Sequence, residues 1–367
     1  MTQNQIMLYV GTYKQQYPSL PNAALTSIYT YTLDQVSGHL AYHSEINDID
    51  NPSFLAIDPK RRILYAVNEN LAQERCFVHA YMIDPWTGKL SYLNKQLSLG
   101  SLPCYVTVDQ TNQFVIVANY GSGSVSLLPI GENGRLHPAS DSHQHTGSGV
   151  NPKRQEGPHA HCAIMDPTNQ YLFVTDLGTD KIMSYRLNAE EKRLVPNGTP
   201  FLNLPPGSGP RHIKFHPNGR FAYVINELNS TITALTYDDA HGTFNIIHTV
   251  STLPVDFQGE SRCAEICIAP SGKFLYGSNR GHDSLAIFAI DEDSGRLQGV
   301  AFQTTNGKTP RNFAIDPSGT FLLVANQDSG SIVSFRINHT TGHLRFIEKI
   351  TEIPSPVSLK MINLNRI

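Results

Sequence analysis

The 367-residue sequence predicts an all-β fold, a seven-bladed β-propeller with four-stranded blades whose ring is closed by the C-terminal strand joining the N-terminal blade. Three observations predict it. A phrase of two apolar runs joined by a Gly/Asn turn recurs with a period near 50 residues. A third run, and usually a fourth, follows each copy. The first copy lacks its opening run, and a matching run stands at the far end of the chain.

The phrase reads "NPSFLAIDPKRRILYAVNE" from Asn51, "LPCYVTVDQTNQFVIVANY" from Leu102 and "HAHCAIMDPTNQYLFVTDL" from His159. It returns as "GPRHIKFHPNGRFAYVINE" from Gly209, "EICIAPSGKFLYGSNR" from Glu265 and "TPRNFAIDPSGTFLLVANQ" from Thr309. Its turn falls at Asp58, Asp109, Asp166, His216, Ala269 and Asp316. Third runs such as "SGSVSLLPI" and "HDSLAIFAI" follow, then turns such as "TGKL", "SGRL" and "TGHL" that open a fourth strand. "LYVGTY", Leu8 to Tyr13, is a second run without a first, and "SPVSLKMINL" from Ser355 supplies it. Closing the ring this way leaves no open sheet edge, and residues 1–367 read as one domain. No long segment keeps a helical period.

Composition narrows the partners. Lys+Arg 28 against Asp+Glu 31 gives a net charge of −3 with no basic run, which argues against nucleic acid and anionic membranes. The N-terminus "MTQNQIMLYVGTY" lacks the basic and apolar regions of a secretory leader. Cys263 and Cys267 lie four apart on a predicted strand, roughly 13 Å at strand rise and too far to bridge. Free thiols and a cytoplasmic location are expected for all five cysteines. No CxxC spacing occurs, and neither a metal nor a cofactor is expected. The polar segment from His137 to Gln155 reads as a loop over the channel mouth.

Comparing repeats separates architecture from candidate chemistry. The column closing the second run is nearly uniform: Thr12, Asn68, Asn119, Asp176, Asn226, Asn279 and Asn326. Such side chains brace turn backbone. The next column is irregular: Tyr13, Glu69, Tyr120, Leu177, Glu227, Arg280 and Gln327. So is the column after the Pro of the first run: Ser53, Cys104, His161, Arg211, Ala264, Arg311 and Val357. Both lie near strand ends facing the central channel, where His161, Arg211, Glu227, Arg280 and Arg311 would meet, with His212, Glu265 and Asn312 one residue further along. A solvent-reaching charge explains any one of these, and a hydrogen-bonded core residue explains His161. Several converging from successive blades favour a pocket.

The "RQEGPHAH…DLGTD", "GPRH" to "VINE" and "LYGSNRGHDS" stretches resemble the seven-bladed lactonase propeller family, from about Leu8 to the C-terminus. The resemblance implies a lactone hydrolase acting on 6-phospho-D-glucono-1,5-lactone in the pentose phosphate pathway. It also implies a functional set of a His of "PHAH", Arg211, Glu227 and Arg280. With the blade comparison, His161 is the candidate for that His, and His159, His212, Arg154, Gln155, Glu265, Asn279 and Arg311 are the substrate-binding candidates. One departure is Tyr105, where many members carry His. Either Glu227 or His161 suits the base that activates water, and the arginine forks suit a phosphate or an oxyanion. A lactonising cyclase, another sugar lactonase and a protein-binding propeller are the competing readings. The last lacks "GH…WD" signatures, and the only Trp, Trp86, sits in a turn-like "DPWTG".

Overall fold

A computed structural model describes residues 5–13, 27–60 and 62–364. The stretch read for a leader begins outside them. Among these residues, 28 strands, β1 to β28 in chain order, form seven four-stranded antiparallel sheets, with only two short 3-10 turns besides. The innermost strands are β28 (Pro356–Asn363), β4 (Leu55–Ile57), β8 (Pro103–Val108), β12 (Ala160–Met165), β16 (Pro210–Phe215), β20 (Arg262–Ile268) and β24 (Pro310–Ile315). Each contacts the next, and β24 contacts β28, so the ring closes. β28 pairs with β1 (Ile6–Thr12) in the register Leu8↔Met361 and Val10↔Leu359, the closure expected from the split repeat.

Second strands are buried along their whole length because a blade packs on each face, so they read as unbroken apolar runs rather than alternating ones. The core accordingly lies between blades. One cluster joins Met7 and Tyr9 of the first blade to Leu64 and Tyr81 of the second. A hydrogen bond recurs across these seams: Tyr9, Tyr223 and Tyr276 donate to the carbonyls of Gly88, Gly295 and Gly342 in the next blade, at 2.8 to 2.9 Å. Gly295 has φ +69°, and a Cβ there would stand 2.5 Å from the Phe221 ring, so the turn admits no other residue without movement.

The uniform columns are structural. Asp166 Oδ1 accepts the amides of Gln170 and Tyr171 and its Oδ2 that of Thr168, closing the turn between first and second strands. Asn119, Asn226 and Asn326 are buried and donate to neighbouring backbone or hydroxyls. All five cysteines are free thiols.

The reading of 137–155 as loop needs correction. Asp141–Gln144 form β11, the outermost strand of the third blade, paired from Ser124↔Gln144 to Leu127↔Asp141. Its sequence is polar because an outermost strand faces solvent. The rest, from His145, turns back to the axis. It is tied there by His145 Nδ1 to Asp176 Oδ2 at 2.7 Å.

Candidate active site

The irregular column after the Pro has a specific backbone origin. Ala160 pairs with Asp176 and Cys162 with Thr175, so His161 is skipped. In the same way Arg211 is skipped between Pro210 and His212, Arg311 between Pro310 and Asn312, and Cys104 between Pro103 and Tyr105. In the sixth blade the bulge takes Ala264 and Glu265 together. A bulge leaves its extra residue unpaired and re-aims its side chain. Repeated at the same place on innermost strands, it delivers one side chain per blade to one end of the axial channel.

Those side chains meet Glu227, which follows β17 (Phe221–Asn226) in the irregular second column. Arg154 Nη2 donates to Glu227 Oε1 at 2.7 Å, and Arg280 Nη2 lies 2.7 Å from Oε2. Arg211 Nε lies 3.0 Å from Oε2 without the alignment of a hydrogen bond; its Nη1 donates to the carbonyl of Ala264 at 2.6 Å. One buried carboxylate therefore sits among three guanidiniums. Burial alone would raise its proton affinity, but Arg280, Arg211 and Arg154 outweigh that and hold Glu227 well below the usual carboxylate range. Burial holds Arg211 down to about 10, with Arg280 and Arg311 adding to it.

His161 is buried beside this cluster, its Nδ1 3.7 Å from Cys104 Sγ and its ring edge-on to Tyr120 and His212. Burial first, then Arg211, keep its conjugate acid well below the ordinary histidine value, so the imidazole is neutral. His159 lies just before β12 rather than beside His161. It stacks on Tyr120 with centroids 4.4 Å apart and bonds the Tyr120 carbonyl through Nδ1 at 2.9 Å. The two histidines share Tyr120, and among the described residues no group of three or more His, Cys, Asp and Glu converges as a metal site.

Arg311 is distinctive. Its guanidinium lies 5.4 Å from the Tyr13 ring, and Tyr13 donates to Glu69 Oε2 at 3.0 Å. Among the described residues Arg311 makes no hydrogen bond or ion pair, which leaves its donors for a ligand. Burial opposes its charge, yet Tyr13, Glu69 and Glu227 raise its proton affinity above the ordinary arginine value.

One layer deeper, His212 Nδ1 bonds Glu265 Oε1 at 2.9 Å and its Nε2 faces Arg211 Nη1 at 3.3 Å, the pattern of a neutral ring with its proton on Nδ1. Asn312 donates to Glu265 Oε2 at 2.5 Å. His212 is held down to about 4, chiefly by burial, and Glu265 to about 2 by His212 against its own burial. Tyr105 stacks on Phe54 at 4.1 Å and meets His212 edge-on at 5.2 Å. Rings from the second, third and fifth blades thus close the channel below the arginines.

Most of the expected residues converge at the mouth, Glu265 lies one layer deeper, and two others do not reach the pocket. Gln155 is fully buried, its Nε2 donating to the Leu177 carbonyl and its Oε1 accepting the Asn151 amide. Asn279 is likewise fully buried, bonded through Nδ2 to the Thr252 carbonyl and through Oδ1 to the Thr252 hydroxyl. Both are fully enclosed and hold backbone rather than reaching the pocket. Conversely Glu69, Tyr120 and Tyr13 line the cluster without having been chosen from the sequence. They stand in the same irregular column as Glu227, which was the available signal.

The family described as "Lactonase, 7-bladed beta-propeller" matches residues 7–361. A 6-phosphogluconolactonase of Bacillus subtilis is 38% identical, covering 97% of this chain and 98% of its own. One from Formosa agariphila is 35% identical over 84% of this chain and 86% of its own. Among solved structures, a candidate 6-phosphogluconolactonase of Bacteroides fragilis superposes with a TM-score of 0.90 at 36% identity, covering 99% of both chains. A periplasmic gluconolactonase of Pseudomonas aeruginosa gives a TM-score of 0.90 at 32% identity, covering 98% of this chain and 99% of that one.

Proposed function

The chain belongs to the family of seven-bladed lactonase propellers, and from that premise we propose that it hydrolyses 6-phospho-D-glucono-1,5-lactone to 6-phosphogluconate. The observation that carries this reading is the convergence of four arginines on a mouth that also holds a neutral, buried histidine. A sugar-phosphate lactone needs both halves of that arrangement: cations for a phosphate and an oxyanion, and an acceptor for the proton of water.

In the proposed reaction water attacks the lactone carbonyl while His161 takes its proton. Arg211 and Arg280 face the developing oxyanion with forked donors. The tetrahedral intermediate collapses, the ring oxygen leaves and takes the proton back from His161, and the carboxylic acid ionises to the product. Arg311 holds the phosphate. Glu227 is a poor base, because three guanidiniums suppress its proton affinity. It serves instead to orient the arginines and to offset the positive charge that forms on His161. The five free thiols support a reducing compartment, the cytoplasm, as the place of work.

A second reading, an unphosphorylated sugar lactone as substrate, is favoured by the name of the Pseudomonas relative. The test is a lactonase assay on purified protein with the phosphorylated and unphosphorylated 1,5-lactones side by side. A kcat/KM higher by about tenfold or more for the phosphorylated form supports the first reading. Equal values support the second, and no rate above the spontaneous one contradicts both.

A further inference from the structure

The opposite mouth of the channel holds two lysines for which the lactonase reading has no use. Two adjoining cavities, of about 380 and 480 Å³, share Lys214, Lys360 and Met361. Between them they are lined by innermost strands of all seven blades, at the ends carrying Asp58, Val108, Phe215, Ile268 and Asp316. Those are the far ends of the strands whose first residues carry His161, Arg211 and Arg311. The ring layer of Phe54, Tyr105 and His212 lies between the two mouths.

Lys214 comes from β16 and Lys360 from β28, on blades separated around the ring. Lys360 Nζ lies 4.8 Å from the Phe54 centroid. Among the described residues neither ammonium makes a hydrogen bond or an ion pair. The near carboxylate is Glu265, whose oxygens are taken by His212, Asn312 and the Ile266 amide. At the rim, Asp58 accepts the amides of Arg62 and Ile63, and Asp316 those of Ser318 and Phe321. Glu265 offsets part of their charge from a distance, but with no direct anionic partner both ammonium groups keep donors for a ligand.

We propose that this mouth is a second anion site, in which Lys214 and Lys360 together hold a doubly charged oxyanion of the phosphate or phosphate-monoester class. Two point charges on different strands match the two negative charges of such a group near neutral pH. The cavities are roomy enough to admit a phosphate monoester as well as free phosphate. Burial, with Lys214 next, holds Lys360 down to about 8, and a bound anion would raise it again. The ring layer keeps this site separate from the arginine mouth.

The test is calorimetric titration with inorganic phosphate of a protein carrying Arg280→Gln and Arg311→Gln, which disables the arginine mouth. One phosphate is expected to bind. Adding Lys214→Gln and Lys360→Gln should weaken that binding by about tenfold or more, as both charge-assisted contacts go. Unchanged affinity after the lysine substitutions, or no binding before them, overturns the proposal. A phosphate-soaked crystal of the unaltered protein covers the case in which the lysine variants do not fold. Phosphate bonded to both Nζ atoms is expected, and density at the arginine mouth alone overturns it. Neither readout uses lactonase activity, so the outcome is independent of the reading of the other mouth.

Discussion

Arg211 Nε lies 3.0 Å from Glu227 Oε2, and the two residues come from adjoining ends of neighbouring strands in one blade. The bulge that skips Arg211 turns it toward the residue just past β17. Arg154 and Arg280 then complete the set from other blades. Replacing Glu227 with Gln keeps the shape and removes the charge that offsets three cations. We expect kcat/KM to fall on the order of a hundredfold. Unfolding free energy should fall by about 3 kcal/mol, the scale for breaking a buried ion pair. Steady-state kinetics and urea unfolding read the two effects, and a stable variant at full rate removes Glu227 from the scheme.

Arg311 should act on binding rather than on chemistry. For Arg311→Gln we expect KM for the phosphorylated lactone to rise about tenfold with kcat little changed. The unphosphorylated lactone should show no such rise. An equal loss on both substrates would move Arg311 from phosphate recognition to the reacting end.

Acid should destabilise the protein through its buried neutral histidines. Burial, with Lys95 next, holds His79 down to about 3, burial holds His212 down to about 4, and His161 is well below its ordinary value. In the unfolded chain each titrates near 6.5. Between about 4 and 6.5 the unfolded chain therefore binds more protons, and stability rises with pH across that window. Each group contributes a slope of up to about 1.4 kcal/mol per pH unit. Urea unfolding from pH 7 to pH 5 should show a steady loss, and a flat profile would mean that these rings take up protons in the fold as readily as in the unfolded chain.

The seams between blades can be tested away from the site. Tyr223→Phe removes the hydroxyl that bonds the Gly295 carbonyl at 2.9 Å. A loss of about 1 kcal/mol is expected, with the lactonase rate unchanged. A neutral substitution would show that apolar packing alone holds that seam.

The sequence carried the ring almost completely because a repeat displays its own exceptions. The split first blade, the turn aspartates and the Asn column were readable, since each follows from strand period and turn chemistry. The two irregular columns marked the mouth, but not why one residue per blade points inward. That depends on a bulge, which is a pairing fact and leaves no composition signal. Gln155 and Asn279 stand next to Arg154 and Arg280 in sequence, yet a polar residue beside a site often serves the backbone. Lys214 and Lys360 escaped notice because they sit mid-strand, where an alternation of faces gives no hint that several strands share one axis. Strand β11 was missed for its polarity, which an outermost strand permits.

The most direct measurement is kcat/KM of Arg280→Met on 6-phospho-D-glucono-1,5-lactone, with folding checked by thermal unfolding. Arg280 is partly exposed, with 15% of its side chain accessible, so its loss should leave the ring intact. The account predicts a folded protein slowed on the order of a hundredfold. A folded variant within about threefold of the unaltered protein, a change of under 1 kcal/mol in transition-state stabilisation, would contradict it.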